Sequence, residues 1–576
     1  MPAATGILGL GETLLGPDAL PPPPLRHALF ASLVVLAAIF HLCTAGWGEI
    51  QNGPEGEYAG GARQMLHSPD RFVPIRHGIV APEEPPLLYW TLNVSYRVFG
   101  VTTVAARLPS AFAMIALVAL TFLIGEALSG YWRAFVAGLI QLSLCGSFLW
   151  GRMVTPEPLF AVSVAGAILC IASGYHNRRH RRWWFNGLWF CSALAYLTKG
   201  ATALVLLGAV ILLLALFFRE ARMRFPAMLH WSGLLIFAAV VVPWHVWLQM
   251  RFPGSLGAIA SSQWLLPFMN GVDTPGAEHV RITRFLLGHL VWWYPLSLLV
   301  LPALLFSWRR TVRPHEISFS DAVPLFWMAA GLAPLLIIPH RQHVDSLPVW
   351  SAFSLWAACA WDRASLRSRI AGVALAALAC VIGGVAARAA TLAPVVFGWT
   401  AGDHLFATDL ALAAVVAALC AFVAAAYLLW RKEETLAVGL LILGVLPLGL
   451  TIAEANARRG QHASFAALAT FLPANLGTDG ELLYEGSLRS ASSLGFYIRR
   501  RFFVIDAPSA SSTERVSPEH RLTRESALEK LGAPHPVYLL LHKDRVPWWQ
   551  EQLTTRYHLY HQVGTYGDYV LVNNQP

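Results

Sequence analysis

The sequence predicts a polytopic α-helical membrane protein that ends in a small α/β layer, and three observations carry that prediction. The 576 residues are 56% hydrophobic and only 13% charged, with a mean hydropathy of +0.52, too apolar for a string of water-soluble domains. Apolar runs of helix length recur between residues 28 and 456, and from about residue 457 the composition turns to that of a soluble domain. A cytosolic enzyme is excluded on these grounds. The net charge of +9 does not point to nucleic acid, because only four of the 42 cations are lysines and most arginines sit between apolar runs. The 22 tryptophans and 15 tyrosines suit a chain with many membrane interfaces, where amphipathic rings collect.

A hydrocarbon core of about 30 Å asks for helices of roughly 17–25 apolar residues. Thirteen runs meet that demand: 28–46, 106–128, 132–150, 154–174, 183–198, 200–218, 230–250, 284–307, 321–339, 344–362, 367–389, 405–430 and 434–456. The first follows a proline-rich stretch, Pro21 to Pro24, and lacks a small-residue cleavage site, so it reads as a retained span. Cys43, Cys145, Cys170, Cys191, Cys359, Cys380 and Cys420 all lie in apolar segments without CxxC spacing, and read as small buried hydrophobes.

Arginine placement sets the topology, because short cytoplasmic loops carry the excess of basic residues. Arg178, Arg179, Arg181 and Arg182, then Arg219, Arg222 and Arg224, Arg309, Arg310 and Arg313, Arg363, Arg367 and Arg369, and finally Arg431 with Lys432 occupy alternate loops, all on one side. The intervening short loops hold about one cation each, namely Arg152, Lys199, Arg341 and Arg388. An inside N-terminus and an outside C-terminus follow, with 1–456 forming the transmembrane domain and 457–576 a soluble α/β domain outside the membrane.

Two outer loops, 47–104 and 251–283, are too long to be mere connectors. In the first, Tyr58, Ala59, Ala62, Met65 and Leu66 fall at helical spacing and predict a short amphipathic helix at the membrane interface. A second interfacial helix is expected to start at Pro85-Pro86, since proline suits a first helical turn. In the tail, strand-like runs at 482–484, 502–505, 537–541 and 569–572 alternate with helix-like stretches at 490–498, 518–531 and 548–555, a β-α-β-α-β-α-β order. No phosphate-cradling glycine loop or nucleophile elbow occurs there, which leaves docking, substrate shaping or a passive lid as its role.

Polar residues at the outer face are few. Glu55 and Glu57, just after the first span, are placed for general-base work or, equally, for capping a helix N-terminus. Lys199, in Thr198-Lys199-Gly200 at a break between two spans, either snorkels or holds a lipid-linked phosphate. Trp264, Glu278, His279, Arg281 and Arg284 form a group in the second long loop, and His340, Arg341, Gln342, His343 and Asp345 another in a later turn. Cations converging from several loops would suit an anionic substrate with a lipid tail, and scattered interfacial anchoring is the alternative.

The stretch Glu55-Gly56-Glu57-Tyr58-Ala59, Ala62-Arg63-Gln64-Met65-Leu66, Val73-Pro74, Glu83-Glu84-Pro85-Pro86-Leu87-Leu88-Tyr89-Trp90, Phe99-Gly100 and Ala106-Arg107-Leu108-Pro109-Ser110 resembles the first outer loop of the bacterial lipid A aminoarabinose transferases and their relatives in the protein O-mannosyltransferase-like superfamily. Thr198-Lys199-Gly200 resembles that family's Ser-Lys-Gly motif, and Arg341 to Pro348 its later basic-residue-to-proline motif. The resemblance, which covers nearly the whole chain, implies a GT-C type inverting glycosyltransferase, metal-independent or metal-assisted. It would move a sugar from polyprenyl (undecaprenyl) phosphate to an envelope lipid, glycan or protein at the periplasmic face of the inner membrane. It implies phosphate binding by Arg63, Arg76, Lys199 and Arg341, substrate contact by Tyr58, Glu84 and Tyr89, and acceptor activation by Glu55 or Glu57.

Two departures stand out. Pro54 occupies the place where many relatives carry an aspartate before the Glu matched by Glu55, and Glu84 replaces the lysine of a Glu-Lys-Pro-Pro motif. The second reverses charge where an anionic phosphate is expected, and calls for another cation, or a divalent metal at Glu83 with His279 as partner. No cofactor is otherwise required, and the chain is expected to act as a monomer. A catalytically diverged binding or assembly relative, and a flippase for polyprenyl-linked sugars, are the alternative readings. Against the flippase, the outer charges cluster at one face and no repeated half occurs.

Overall fold

The computed structural model describes residues 22–76, 79–261, 281–302, 317–338, 341–392, 409–476, 479–498, 502–505, 518–558 and 560–575. Helix α1 (Pro23–Cys43) is followed by α2 (Pro54–His67), a two-stranded hairpin of β1 (Ile75–Arg76) and β2 (Ile79–Val80), and α3 (Leu87–Phe99). Long helices then build the bundle, among them α4 (Thr103–Ser129), α5 (Glu157–His176), α6 (Arg181–Lys199), α7 (Ala201–Phe217) and α8 (Phe319–Ile337). Every one of the thirteen apolar runs is helical over most of its described part.

Fewer of them are single straight spans than the sequence predicts. Among the described residues eight helices are long and apolar enough to cross a bilayer, or ten if each of two bent pairs counts as one span. The bends are 117° after Phe217 and 98° between Trp292 and Leu296. The other three runs fall short for separate reasons. Tyr131–Ser143 breaks at Leu144 after 13 residues, α6 opens on two arginines, and Trp350–Arg363 is a 14-residue helix preceded by a 3₁₀ turn, His343–Val349. At the end of the bundle away from the C-terminal layer, Arg26–Glu126, Arg133–Asp362, Arg363–Asp321 and Arg369–Glu434 pairs tie neighbouring helices together. All seven cysteines are free, but Cys43 and Cys420 are exposed on the bundle's outer surface rather than buried.

Helix α2 departs from its expected setting. Gly53, with φ +97°, and Pro54 at the first position start it, and Glu55 and Glu57 stand in its first turn as acidic residues do at a helix N-terminus. It does not lie on the membrane surface. Eight of its 14 residues are buried, because the C-terminal layer covers it. α3 does begin behind Pro86, and exposes Val94, Val98 and Phe99 as an interfacial helix should.

The helix Glu434–His462 runs past residue 456 toward the C-terminal layer, so the compositional change falls inside a continuous helix. There β3 (Glu481–Glu485), α9 (Ser492–Tyr497), β4 (Phe503–Ile505), β5 (Arg521–Leu522), α10 (Arg524–Leu531), β6 (Val537–His542), α11 (Val546–Tyr557), β7 (His561–Tyr566) and β8 (Tyr569–Asn573) form a six-stranded sheet of order β5-β4-β3-β6-β8-β7. β5, β4, β3 and β6 are parallel, while β8 and β7 return antiparallel. Side chains alternate between two cores: Leu482, Tyr484, Leu540 and Leu571 face one, and Leu483, Leu539, Leu541 and Val572 the other. β5 and β7 lie outside the sequence-read strands, β5 because it is two residues long and β7 because its residues, mostly polar, form an exposed edge.

The layer grips α2 through backbone. Gly53 N–H donates to the Arg489 carbonyl at 3.0 Å and to Ser492 Oγ at 2.8 Å, and Asn52 Oδ1 accepts from Ser493 N and Oγ at 3.1 and 2.6 Å. A Cβ at Gly56 would stand 2.6 Å from Ser492 Oγ and from Ser493 N. Gly56→Ala is therefore expected to destabilise the protein by about 1–3 kcal/mol through overpacking. Scanning fluorimetry of the purified variant in detergent checks this, and an unshifted melting temperature would show that the two parts can separate freely.

Candidate active site

Two ionic clusters meet at the end of the bundle beneath the C-terminal layer. The first is built on the 47–104 segment. Arg76, on the hairpin, places Nη2 2.7 Å from Glu57 Oε2 and Nε 2.8 Å from Glu84 Oε1, the second contact being an ion pair whose N–H is not aligned for a hydrogen bond. The Tyr89 hydroxyl donates to the other Glu84 oxygen. Arg489, from the C-terminal layer, reaches to 3.9 Å of Glu57.

The second cluster is assembled by helix ends. Lys199 is the last residue of α6, where a cation complements the helix dipole, and Gly200, at φ +61°, turns the chain away. Its Nζ lies 2.6 Å from Glu157 Oε1, in the first turn of α5, and 3.5 Å from Asp345 Oδ1. Asp345 is oriented by a capping box in which its Oδ2 accepts from the Gln342 N–H at 2.8 Å. Tyr58 stands between the clusters: its ring packs on Tyr89 at 5.8 Å, and its hydroxyl feels Glu84, Arg76, Glu157 and Lys199.

Burial and charge shape the titration here. Burial, then the Glu84 carboxylate, pushes the Tyr58 phenol up, so it stays a neutral donor at neutral pH. Burial opposes the charge of Arg76, yet Glu84 and Glu57 hold it firmly protonated. Burial pushes the Glu84 carboxyl up, Arg76 and the Tyr89 hydroxyl partly restore it, and Glu57 and Glu83 push it up further.

An apolar groove ends at the second cluster. It holds about 90 Å³ between α7, α8 and the 343–349 turn, lined by Val205, Leu206, Leu335 and Val349, with Asp345 in its wall.

Of the residues predicted from sequence, Glu57, Tyr58, Arg76, Glu84, Tyr89 and Lys199 converge here. Glu55 does not. It is 1% exposed and faces the opposite side of α2, where Arg107 grips it at 2.9 and 3.3 Å and the Gln51 N–H donates to it. Two residues along a helix turn a side chain by roughly 200°, so Glu55 and Glu57 point apart, and Glu55 is a structural counter-ion rather than a base. Arg63 donates to the Phe496 carbonyl and anchors the C-terminal layer. Arg341 donates to the Ile338 and Leu336 carbonyls, capping the C-terminal end of α8 instead of joining Lys199. Glu83 lies in the turn before α3, and its expected metal partner His279 lies outside the described residues, as do Trp264, Glu278 and His340. Among the described residues no three His, Cys, Asp or Glu side chains are grouped to hold a metal ion. Sequence reasoning misses Glu157 and Arg489. Glu157 carries a signal, a lone carboxylate at the mouth of an apolar span, whereas Arg489 carries none.

Known proteins resemble this chain in sequence and in fold. The family described as dolichyl-phosphate-mannose-protein mannosyltransferase matches residues 83–247. An undecaprenyl phosphate-alpha-4-amino-4-deoxy-L-arabinose arabinosyl transferase of Photorhabdus laumondii is 26% identical over 304 residues, covering 50% of this chain and 52% of that protein. A transferase of the same name from Sodalis glossinidius, numbered 1, is 30% identical over 206 residues, 34% of this chain and 36% of its own. The chain thus spans between a third and about half of the length of the curated relatives it matches. The crystal structure of ArnT from Cupriavidus metallidurans bound to undecaprenyl phosphate superposes with a TM-score of 0.79 at 20% identity, over 95% of this chain and 98% of that one. An Archaeoglobus fulgidus oligosaccharyltransferase superposes with a TM-score of 0.50 at 11% identity, over 91% and 71% of the two chains. The resemblance to aminoarabinose transferases therefore holds in sequence and in shape, and the fold is of the GT-C type, with multiple membrane spans.

The raised Glu84 carboxyl gives a pH signature. A carboxyl whose folded value lies above its ordinary value near 4.5 contributes stability that is complete in acid and is lost as pH rises through the folded value. Glu84→Gln removes that loss, so its stability, read as melting temperature, should gain on wild type as pH rises, the free-energy gain being at most about 1.4 kcal/mol per pH unit across the window between the two values. Parallel curves between pH ~4 and ~8 would show that Glu84 ionises in the folded protein as it does in water.

Proposed function

We propose that the chain is an integral-membrane glycosyltransferase of the bacterial inner membrane that takes a sugar from polyprenyl (undecaprenyl) phosphate and passes it, with inversion, to an envelope lipid or glycan on the periplasmic side. Its N-terminus is cytoplasmic, its C-terminal layer periplasmic, and it works as a monomer without a cofactor. The observation that carries this reading is Lys199, held by Glu157 and Asp345 at the polar end of an apolar groove and facing the Glu57–Arg76–Glu84 cluster across Tyr58. A cation tied through Asp345 to a short apolar groove, with room for only a few carbons of a lipid chain, and a carboxylate cluster beyond it are parts that a lipid-phosphate sugar donor would use. The relatives' names, with undecaprenyl phosphate as donor carrier, support the same class.

The steps follow from the groups present. Lys199 and Arg76 attract the donor phosphate, whose diester oxygen is the leaving group, so no nucleotide machinery is needed. Glu57 accepts the proton of an acceptor hydroxyl as that oxygen bonds to the anomeric carbon from the face opposite the phosphate. The sugar–phosphate C–O bond breaks, its electron pair stays on the phosphate, and the two cations stabilise the charge that develops there. Glu157 holds Lys199 in place, and Tyr58, kept neutral, donates toward the reacting oxygens.

Glu57→Gln is expected to lower transfer by about 10²–10⁴-fold, the usual contribution of a general base. Lys199→Ala should match it, while Glu55→Gln should instead reduce the yield of folded protein. The assay is purified protein in nanodiscs with a labelled undecaprenyl-phosphate sugar, scoring product and free sugar separately. Wild-type protein that binds the donor without turnover would favour a binding or assembly role, and undiminished transfer by both Glu57→Gln and Lys199→Ala would overturn the assigned roles.

A further inference from the structure

The far end of the α5–α6 hairpin, opposite the Glu157–Lys199 pair, carries a second concentration of charge. There the segment Arg219–Leu229 turns by 117° from α7 and packs across α6: Ala221, Phe225 and Met228 face inward, and the Trp189 indole donates to the Met228 carbonyl at 2.6 Å. Arg224 fastens this segment to the hairpin corner, its Nη1 donating to the Tyr175 carbonyl at 3.0 Å and its guanidinium lying 4.3 Å from the Tyr175 ring centre. Two kinds of side chain are left outside. Arg178, Arg179, Arg182, Arg219 and Arg222 are exposed, and no described carboxylate pairs with any of them. Glu220 is the only carboxylate between residues 158 and 231, and it is taken by Arg224 Nη2 at 2.6 Å and the Tyr175 hydroxyl at 3.2 Å. At the same end of the bundle Arg26, Arg133, Arg363 and Arg369 each have a carboxylate partner. The tendency of basic residues to stay on one side of a membrane accounts for the side these arginines occupy, not for their gathering at one corner without counter-ions. Beside them Trp183 is 77% exposed, and Met223, Leu229 and Trp231 are 67–69% exposed.

We propose that this corner is a binding site for an anionic phospholipid, whose phosphodiester headgroup meets the arginines of the 178–182 turn and of the Arg219–Leu229 segment while its acyl chains cover Met223, Leu229 and Trp231. An anion relieves the repulsion among five uncompensated guanidinium groups, and Arg binds phosphate oxygens through two parallel N–H donors. A soluble anion would leave the apolar side chains bare, whereas a lipid satisfies both halves of the surface. A basic segment lying in the membrane plane with large apolar side chains beside it is the arrangement that holds to an anionic leaflet. The site stands apart from sugar transfer and draws on no step of it.

The test compares two triple variants of the full-length protein that lose the same charge. Arg179→Gln/Arg182→Gln/Arg222→Gln strips the corner, and Arg367→Gln/Arg431→Gln/Lys432→Gln removes three exposed cations from other loops at the same end. Purified protein in maltoside micelles receives phosphatidylglycerol and phosphatidylcholine in equal amounts, and native mass spectrometry counts each lipid retained. Wild type should retain phosphatidylglycerol selectively, the corner variant should lose that selectivity by about tenfold or more, and the other variant should keep it. Arg179→Lys/Arg182→Lys/Arg222→Lys, which preserves the charge, should restore most of it and so separates lost attraction from damage to the fold. Equal loss in both Gln variants would mean general attraction to basic loops and would overturn the site, as would a wild type without preference. Displacement of the lipid by inorganic phosphate or glycerol 3-phosphate at matched concentration would overturn it too, because a site for free phosphate has no use for the hydrocarbon.

Discussion

The buried pairing of Glu55 with Arg107 is the constraint on which the rest depends. Both side chains are almost fully buried, and an ion pair so placed is costly unless every polar atom finds a partner. Arg107 meets that condition by also donating to the carbonyls of Ala45, Trp47, Gly48 and Glu49 at 2.7–3.3 Å. The chain leaving α1 is thereby wrapped around one guanidinium, and Arg152 reinforces it by donating to the Thr44 and Trp47 carbonyls at 2.9 and 2.7 Å. Because the segment before α2 has no freedom left, the helix itself starts in one orientation. With Glu55 turned down to Arg107, Glu57 is turned to the opposite face and Tyr58 toward Lys199.

The C-terminal layer completes what that pair begins. It contacts α2 along the glycine face and replaces solvent over it, which is why a helix of mixed polarity is buried rather than afloat at the membrane surface. The Tyr497 hydroxyl donates to Glu49 at 2.6 Å and accepts from the Ile50 N–H at 2.8 Å, so the layer holds the same short stretch that Arg107 holds from below. The layer thus shares hydrogen bonds with the segment that aims Glu57. Arg489 takes this further, since it brings a cation of the layer to the carboxylate assigned as base.

The bundle was legible because the hydrocarbon core imposes length and apolarity on each span, and both can be counted. Two of the three spans that failed the count, at Tyr131–Ser143 and Trp350–Arg363, are shortened by a backbone break at Leu144 and by the 343–349 turn, neither of which changes composition. The set of polar residues at the outer end was also legible, but their pairing was not. Spacing says that Glu55 and Glu57 face apart, yet only the position of Arg107, fifty residues on, decides which of them is the counter-ion. Arg63 and Arg341 are cations engaged by backbone carbonyls, a use that sequence cannot tell from phosphate binding. Glu157 was absorbed into an apolar run, although a carboxylate at that depth needs a partner and Lys199 is the cation placed to supply it.

The paired charges explain how a site for an anion can stay folded while empty. Bare cations in a sheltered pocket would repel one another and draw in water, whereas Lys199 and Arg76 are each held by two carboxylates. On the proposed reading, the donor phosphate must then exchange with one carboxylate at each cation. At Lys199 the weaker partner is Asp345, at 3.5 Å against 2.6 Å for Glu157, and Asp345 is also the one in the groove wall. Its loss from the cation is cushioned by the Gln342 N–H that already binds its other oxygen. At Arg76 the partner that gives way is Glu84, because its contact is misaligned and its burial favours the neutral acid. A lysine at position 84 would add attraction for the phosphate, whereas Glu84, bonded by the Tyr89 hydroxyl and paired with Arg76, balances that cation in the empty site.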